Sequence, residues 1–154
     1  MPKIEKITKQ TENPYVNLYL VEGKNKVDHP FRYYVASRAK TMEALKIKTK
    51  KNTPDGVLMY SLYGEKRDKI VLVRQYRVSI DDYIYEFPAG LVESGEEFHE
   101  AAVREMHEET GLTFHPLKVD PCYEKPFFTT IGMTDEACSA VYGWCEGEIS
   151  RKPR

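Results

Sequence analysis

Between Glu96 and Thr110 the chain reads as a helix whose apolar stripe continues as a stripe of acids. At 100° per residue, Phe98, Ala101, Ala102, Glu105, Glu108, Glu109 and Leu112 fall within about 60° of the direction of Glu105. A merely solvated helix would set its acids opposite Phe98, not in line with it. Stacking Glu105, Glu108 and Glu109 at i, i+3 and i+4 is repulsive by roughly a few tenths of a kcal/mol per pair. Partial burial raises that cost unless a cation sits among the carboxylates. Hard divalent cations such as Mg²⁺ bind carboxylate oxygens and leave positions open for water and substrate phosphate. The stretch therefore reads as a packed helix with its acidic end turned toward a cation, or else as a surface acidic helix.

Composition supports a packed domain. At 154 residues, with 41% hydrophobic and 12% aromatic residues, the chain has one domain's length and enough apolar mass for a core. A net charge of -1 argues against a general polyanion binder. That balance hides a segment, Glu93 to Glu109, with seven acids and one base, so the rest of the chain is positive. Arg38 to Lys51 carries six bases and one acid, a pattern that usually marks a solvated face. No apolar run approaches the ~18 residues of a spanning helix. The charged start lacks the stretch of a secretion signal, so a cytoplasmic location is expected. Cys122, Cys138 and Cys145 form neither a C-x-x-C pair nor an even set, which supports no disulfide framework and no cysteine zinc site.

Strands are expected at Tyr15–Val21, Phe31–Ala36, Val57–Tyr63, Lys69–Tyr76, Tyr83–Phe87, Leu117–Tyr123 and Ala137–Trp144, with turns marked by Gly, Pro and Asp. Ser94 and Glu97 fit a capping box at the helix start, and Gly111 fits the position just past its end. Strands on both sides of one helix define a mixed α/β domain with an N-terminal β appendage. The expected division is an N-terminal β-subdomain over 1–52 and a catalytic domain over 53–154.

The residues from Gly90 to Leu112 carry more than a helix signal. Gly90, Glu96, Arg104-Glu105, Met106, Glu108-Glu109, Gly111 and Leu112 resemble the Nudix box, G-x5-E-x7-R-E-apolar-x-E-E-x-G-apolar, at every defined position. The resemblance implies an α/β/α sandwich with the box helix on a mixed sheet, binding Mg²⁺ or Mn²⁺. By position, Glu105 and Glu109 would be the main metal ligands, Glu108 a further one, Glu96 an accessory group, and the Ala89 carbonyl another ligand. Arg104 would hold the glutamates by ion pairing. The implied reaction is attack of water on a nucleoside diphosphate linked to another group.

Outside the box, Gln75-Tyr76-Arg77 followed by Tyr85-Glu86-Phe87-Pro88-Ala89-Gly90 is similar to the ADP-ribose (ADP-sugar) pyrophosphatase group. That resemblance places Arg77 on the substrate phosphates, a role that suits a bidentate guanidinium. It makes Glu86 a contact behind the phosphates or on the ribose side. It also implies a nucleotide-sugar substrate and a homodimer exchanging its N-terminal β-domain. Tyr15 and Tyr33 would then clamp the adenine, and Arg38 would add a further contact. The chain departs from the group at Ile131, where a proline usually precedes the glycine of the loop Thr129–Glu136. It departs again at its end, Arg151-Lys152-Pro153-Arg154, where related chains run on to a loop glutamate and a C-terminal helix. The resemblance therefore implies a truncated form whose late candidates for the base are Glu146 and Glu148.

Three rival readings remain. A nucleoside triphosphate pyrophosphohydrolase of the 8-oxo-nucleotide type needs no long N-terminal β-domain, so the residues before Thr53 argue against it. A non-catalytic Nudix-like nucleotide-binding module tends to lose box glutamates, and this box is intact. An RNA-binding or decapping role wants bases interleaved with aromatics, and Arg38–Lys51 has no aromatics.

Overall fold

The computed structural model describes residues 1–150, and the terminal 151–154 lie outside the described residues. The chain divides into two compact units, Met1–Thr53 with Phe128–Ala137, and Pro54–Phe127 with the residues from Cys138 onward.

The first unit is built on an antiparallel meander of β1 (Lys3–Lys9), β2 (Asn17–Lys24) and β3 (Pro30–Ser37). β1 was not expected from its charged sequence; it pairs with β2 from Lys3 opposite Lys24 to Lys9 opposite Tyr19. Tyr15 falls outside β2, which starts two residues later and runs on to Lys24. The reversal comes at Asn25, whose side chain accepts from the amides of Val27 and His29. Tyr19, Val21 and Leu45 are buried in this unit, and the Tyr19 hydroxyl donates to the Ala39 carbonyl at 2.6 Å. A single helical turn, α1 (Lys46–Thr49), follows. The segment Phe128–Ala137 joins the same unit through a bridge between Ala36 and Thr134 and a bond from the Ala36 amide to the Met133 carbonyl.

The second unit contains the mixed sheet. Its strands are β4 (Gly56–Tyr63), β5 (Lys69–Ile70), β8 (Ala89–Leu91), β9 (Thr113–Pro116), β10 (Phe127–Phe128) and β11 (Ala137–Glu146). The order is β10-β11-β4-β5, with β8 antiparallel to β4 and β9 antiparallel to β11. β11 runs parallel to β4, from Cys138 opposite Gly56 to Cys145 opposite Tyr63. A separate hairpin joins β6 (Val73–Arg77) to β7 (Asp82–Glu86).

One long helix among the described residues, α2 (Phe98–Thr110), packs on this sheet. Ala101, Ala102 and Met106 meet Val57, Met59, Val141 and Cys145 of the sheet, together with Leu112 and Phe114 just past the helix. Full burial of Met106 and Leu112 contributes about 1.5–3 kcal/mol each. Gly111 at φ 78 closes the helix, its amide donating to the His107 carbonyl. The expected α/β class, the mixed sheet with its box helix, and the antiparallel N-terminal sheet are all present.

Three local expectations need correction. The run Lys69–Tyr76 is two strands, because the chain leaves β4 at Val71, whose amide bonds the Ser61 carbonyl, and then pairs with β7. Leu117–Tyr123 is no strand. β9 ends at Pro116, and the Asp120 side chain accepts from the Cys122 amide at the head of a turn. The capping residue of α2 is Glu97, which accepts from the His99 amide at 2.8 Å, and not Ser94. Gly95 at φ 86 turns the chain between them, so the helix cannot extend back to a serine cap.

Candidate active site

The acids of α2 meet β8 and the β6–β7 hairpin at a cleft of about 570 Å³. Arg77, Ala89, Arg104, Glu105, Glu108 and Glu109 all line it, six of the residues singled out from sequence. Gln75, Leu91 and Glu93 line it too and were not singled out. Gln75 lies two residues before Arg77, on the same face of its strand, which is the signal that could have found it.

Arg104 organises the acidic end. Its Nε and Nη2 each donate to a Glu96 carboxylate oxygen at 2.9 Å, a bidentate fork. Nη1 reaches Glu105 at 2.9 Å and lies 3.6 Å from Glu108, while Nη2 also donates to the Leu91 carbonyl. The Arg104 fork, helped by the Glu93 amide, lowers the Glu96 carboxyl to about 2. The same contact with Glu96 raises the Arg104 guanidinium still further above its ordinary value. Glu96 thus serves as the counter-ion of Arg104.

Glu105 is the buried acid, 8% exposed, while the Glu108 side chain is half exposed. The Glu105 carboxyl packs against bare backbone at Gly90, where an added Cβ would lie 1.9 Å from its Cδ. Glu109 accepts from the Ala89 amide at 3.2 Å, so helix and β8 are tied together at the cleft floor. Arg77 donates to Glu86 at 2.8 Å, and that bond, with the nearby Glu109 charge, raises the guanidinium above its ordinary value. Glu86 is therefore the partner that steadies Arg77.

The residues fit a hard divalent cation by their donor chemistry: three carboxylates and a backbone carbonyl on one cleft, with a glycine cradle for the deepest carboxylate. As they stand, no three His, Cys, Asp or Glu side chains among the described residues form a ready ligand group. Arg104 engages Glu105 and the Ala89 amide engages Glu109 in this arrangement.

The other expected site residues lie in the first unit. The Tyr33 hydroxyl donates to the Gly132 carbonyl, and Arg38 pairs with Glu136 at 2.8 Å. Tyr33 stands opposite Val21, while Tyr15 precedes the far end of β2 and is largely exposed. Within one chain the two rings are not brought together. Of the late glutamates, Glu146 pairs with His115 at 2.9 Å, and neither it nor Glu148 lines the carboxylate cleft.

At the start of α2, His99 lies between Glu124 at 2.8 Å and Glu97 at 3.0 Å. Burial disfavours the charged ring, but these two carboxylates outweigh it and raise the His99 pKa. A raised histidine stabilises the fold fully below its unfolded value near 6.5 and loses that contribution as pH rises through the folded value. The gap in melting temperature between the native chain and His99→Gln is therefore expected to be wider at pH 6 than at pH 9. An equal gap at both would contradict the ion pairs.

Fold and site together define an α/β protein with an acidic, arginine-rimmed cleft on its helix α2. Residues 52–150 match the NUDIX domain, and the chain belongs to the Nudix family. It is 35% identical over 80 residues to the ADP-ribose pyrophosphatase of Saccharomyces cerevisiae, covering 51% of this chain and 35% of that one. It is 36% identical over 87 residues to the ADP-sugar pyrophosphatase of Mus musculus, covering 54% and 40%. The matches thus span two fifths or less of these relatives' length. A crystal structure of an ADP compounds hydrolase shares the fold at a TM-score of 0.71 and 18% identity, covering 99% of this chain and 72% of that one. No helix among the described residues is long and apolar enough to cross a membrane.

Proposed function

We propose that the chain hydrolyses the diphosphate bond of ADP-ribose or a related nucleoside diphosphate sugar, giving AMP and a sugar phosphate. The observation that carries this reading is the single cleft where Arg77 and Arg104 face Glu105, Glu108, Glu109 and Ala89. Likeness to ADP-ribose and ADP-sugar pyrophosphatases over half of the chain supports the substrate class.

In this reading Glu105 and Glu109 are the main ligands of Mg²⁺ or Mn²⁺, with Glu108, the Ala89 carbonyl and Glu96 as further groups. When bound, the metal neutralises the diphosphate and lowers the pKa of water. Arg77 grips a phosphate, its planar fork already oriented by Glu86. Arg104 holds Glu105 in place and keeps Glu96 ionised. Water oxygen bonds to one phosphorus, the bridging P–O bond breaks, and the bridging oxygen leaves on the other phosphate. Tyr15, Tyr33 and Arg38 remain adenine-side residues of a homodimer in this reading, which also keeps the cytoplasmic location expected from the sequence.

Phosphorus NMR of ADP-ribose incubated with the chain and Mg²⁺ tests the reaction. The expected products are AMP and ribose 5-phosphate, in equal amounts, and none when a chelator is present. Intact ADP-ribose beside a nucleoside triphosphate cut to its monophosphate would favour the triphosphate pyrophosphohydrolase instead.

A further inference from the structure

The floor of the carboxylate cleft depends on a residue that does not line it. Gly56 of β4 lies inside the mixed sheet, opposite Leu91 of β8 on one side and Cys138 of β11 on the other. It is buried, and a glycine inside a strand costs stability unless another group needs the space. Here that group is a backbone carbonyl. A Cβ on Gly56 would lie 2.9 Å from the Gly90 oxygen and 3.4 Å from Cys138 Sγ. The sulfur contact is ordinary packing, whereas the oxygen contact is too short to persist.

The Gly90 carbonyl is not free to swing aside. The Asp55 carbonyl accepts from the Val92 amide at 3.1 Å, and the Pro88 carbonyl accepts from the Met59 amide at 2.9 Å. Bonded pairs alternate along an antiparallel ladder, so Val57 and Gly90, opposite each other between those two, are a bonded pair as well. The Gly90 oxygen therefore accepts from the Val57 amide, next to Gly56 in the chain. Its peptide joins the two residues of β8 that support the deepest acid. Bare backbone at Gly90 carries the Glu105 carboxyl. The Leu91 carbonyl accepts from Nη2 of Arg104, whose Nη1 grips Glu105. A shift of that one peptide moves both supports.

We propose that Gly56 is a positioning residue for the carboxylate cleft. Its missing side chain sets how closely β8 lies against β4, and the Gly90–Leu91 peptide passes that spacing on to Glu105. Gly56 touches neither metal nor substrate and acts through β8 alone. This role rests on the hydrolase reading above for the reaction it serves, and on cation binding without substrate for its test.

A Mn²⁺ titration followed by electron paramagnetic resonance, and ADP-ribose kinetics at saturating Mn²⁺, test it on the native chain, Gly56→Ala and Val141→Ala. Val141 is buried in the core on β11, across β4 from β8, so Val141→Ala lowers the melting temperature without reaching the cleft floor. Gly56→Ala should raise the Mn²⁺ Kd and lower kcat by about tenfold each, less than the roughly 10²-fold of a full 1 Å displacement. Its KM for ADP-ribose should stay within about twofold, because Arg77 stands on another strand. Val141→Ala should keep native Mn²⁺ affinity and kcat. Gly56→Ala combined with Cys138→Ala relieves the sulfur contact, keeps the carbonyl contact, and should show the same loss in a less crowded sheet. Native Mn²⁺ affinity in both Gly56 variants, or an equal loss in Val141→Ala, overturns the positioning role, while cleavage of ADP-ribose by the native chain keeps the hydrolase reading. Intact ADP-ribose in every sample, with weaker Mn²⁺ binding in the Gly56 variants alone, overturns the hydrolase reading and leaves the positioning role standing.

Discussion

Gly90→Ala is expected to cost both stability and turnover, more than its single methyl group would elsewhere. The added Cβ would sit 1.9 Å from Cδ of Glu105 and 2.3 Å from both Cγ and Oε1. Contacts that short cannot persist, and Glu105 has little room to yield, being buried and held by Arg104 at 2.9 Å. Forcing a methyl group into such packing costs about 1–3 kcal/mol. Displacing a reacting constellation by about 1 Å costs on the order of 10²-fold in rate. Calorimetry and steady-state turnover on ADP-ribose measure the two effects separately. Adding Glu105→Ala to Gly90→Ala removes the clash, so the double variant should regain most of the lost melting temperature while remaining inactive. A Gly90→Ala chain with native melting temperature and native turnover would contradict the packing at the cleft floor.

Glu109→Gln should produce the opposite pattern on stability. The amide keeps an acceptor oxygen for the Ala89 backbone N–H, so the tie between α2 and β8 survives. It removes a negative charge one turn from Glu105, and so relieves a repulsion of roughly a few tenths of a kcal/mol. The melting temperature without metal should stay or rise. Turnover at saturating Mg²⁺ should fall by about 10²–10⁴-fold, since several kcal/mol of transition-state stabilisation depend on a charged ligand. Near-native turnover would remove Glu109 from the ligand set.

Why the site was legible in sequence follows from where its parts come from. Glu105, Glu108 and Glu109 belong to one helix, and helical spacing alone puts them on one side. Arg104 lies on the same helix and Glu96 just before it, so local sequence also contains their ion pair. Non-local consequences were less visible. That Glu105 rests on Gly90 depends on β8 pairing with β4, a strand of three residues carrying no periodic signal. The expected capping box failed because Ser94–Glu97 is a loop shaped by Gly95 and by Arg104 pulling on Glu96. β1 was missed because its three lysines and Glu5 mask the apolar pair Ile4 and Ile7, and strand pairing overrode composition. The strand expected over Leu117–Tyr123 was one element too late, since β9 spends its four residues immediately after the helix.

The aromatic residues show the limit most clearly. Tyr15 and Tyr33 were singled out by resemblance, yet one precedes its strand and the other bonds the Gly132 carbonyl. Tyr83 and Tyr85 sit on a hairpin face whose partner side holds Gln75 and Arg77. Only the register of β6 with β7 reveals that division.

The account turns on the carboxylates of α2 holding a divalent cation. The most direct measurement is a Mn²⁺ titration of the chain followed by electron paramagnetic resonance, with no substrate present, on the native chain and on Glu109→Gln. The account predicts saturable Mn²⁺ binding to the native chain and a clear loss of affinity in Glu109→Gln, with both chains equally folded. Equal Mn²⁺ affinity in the two, or no saturable binding to the native chain, would contradict it.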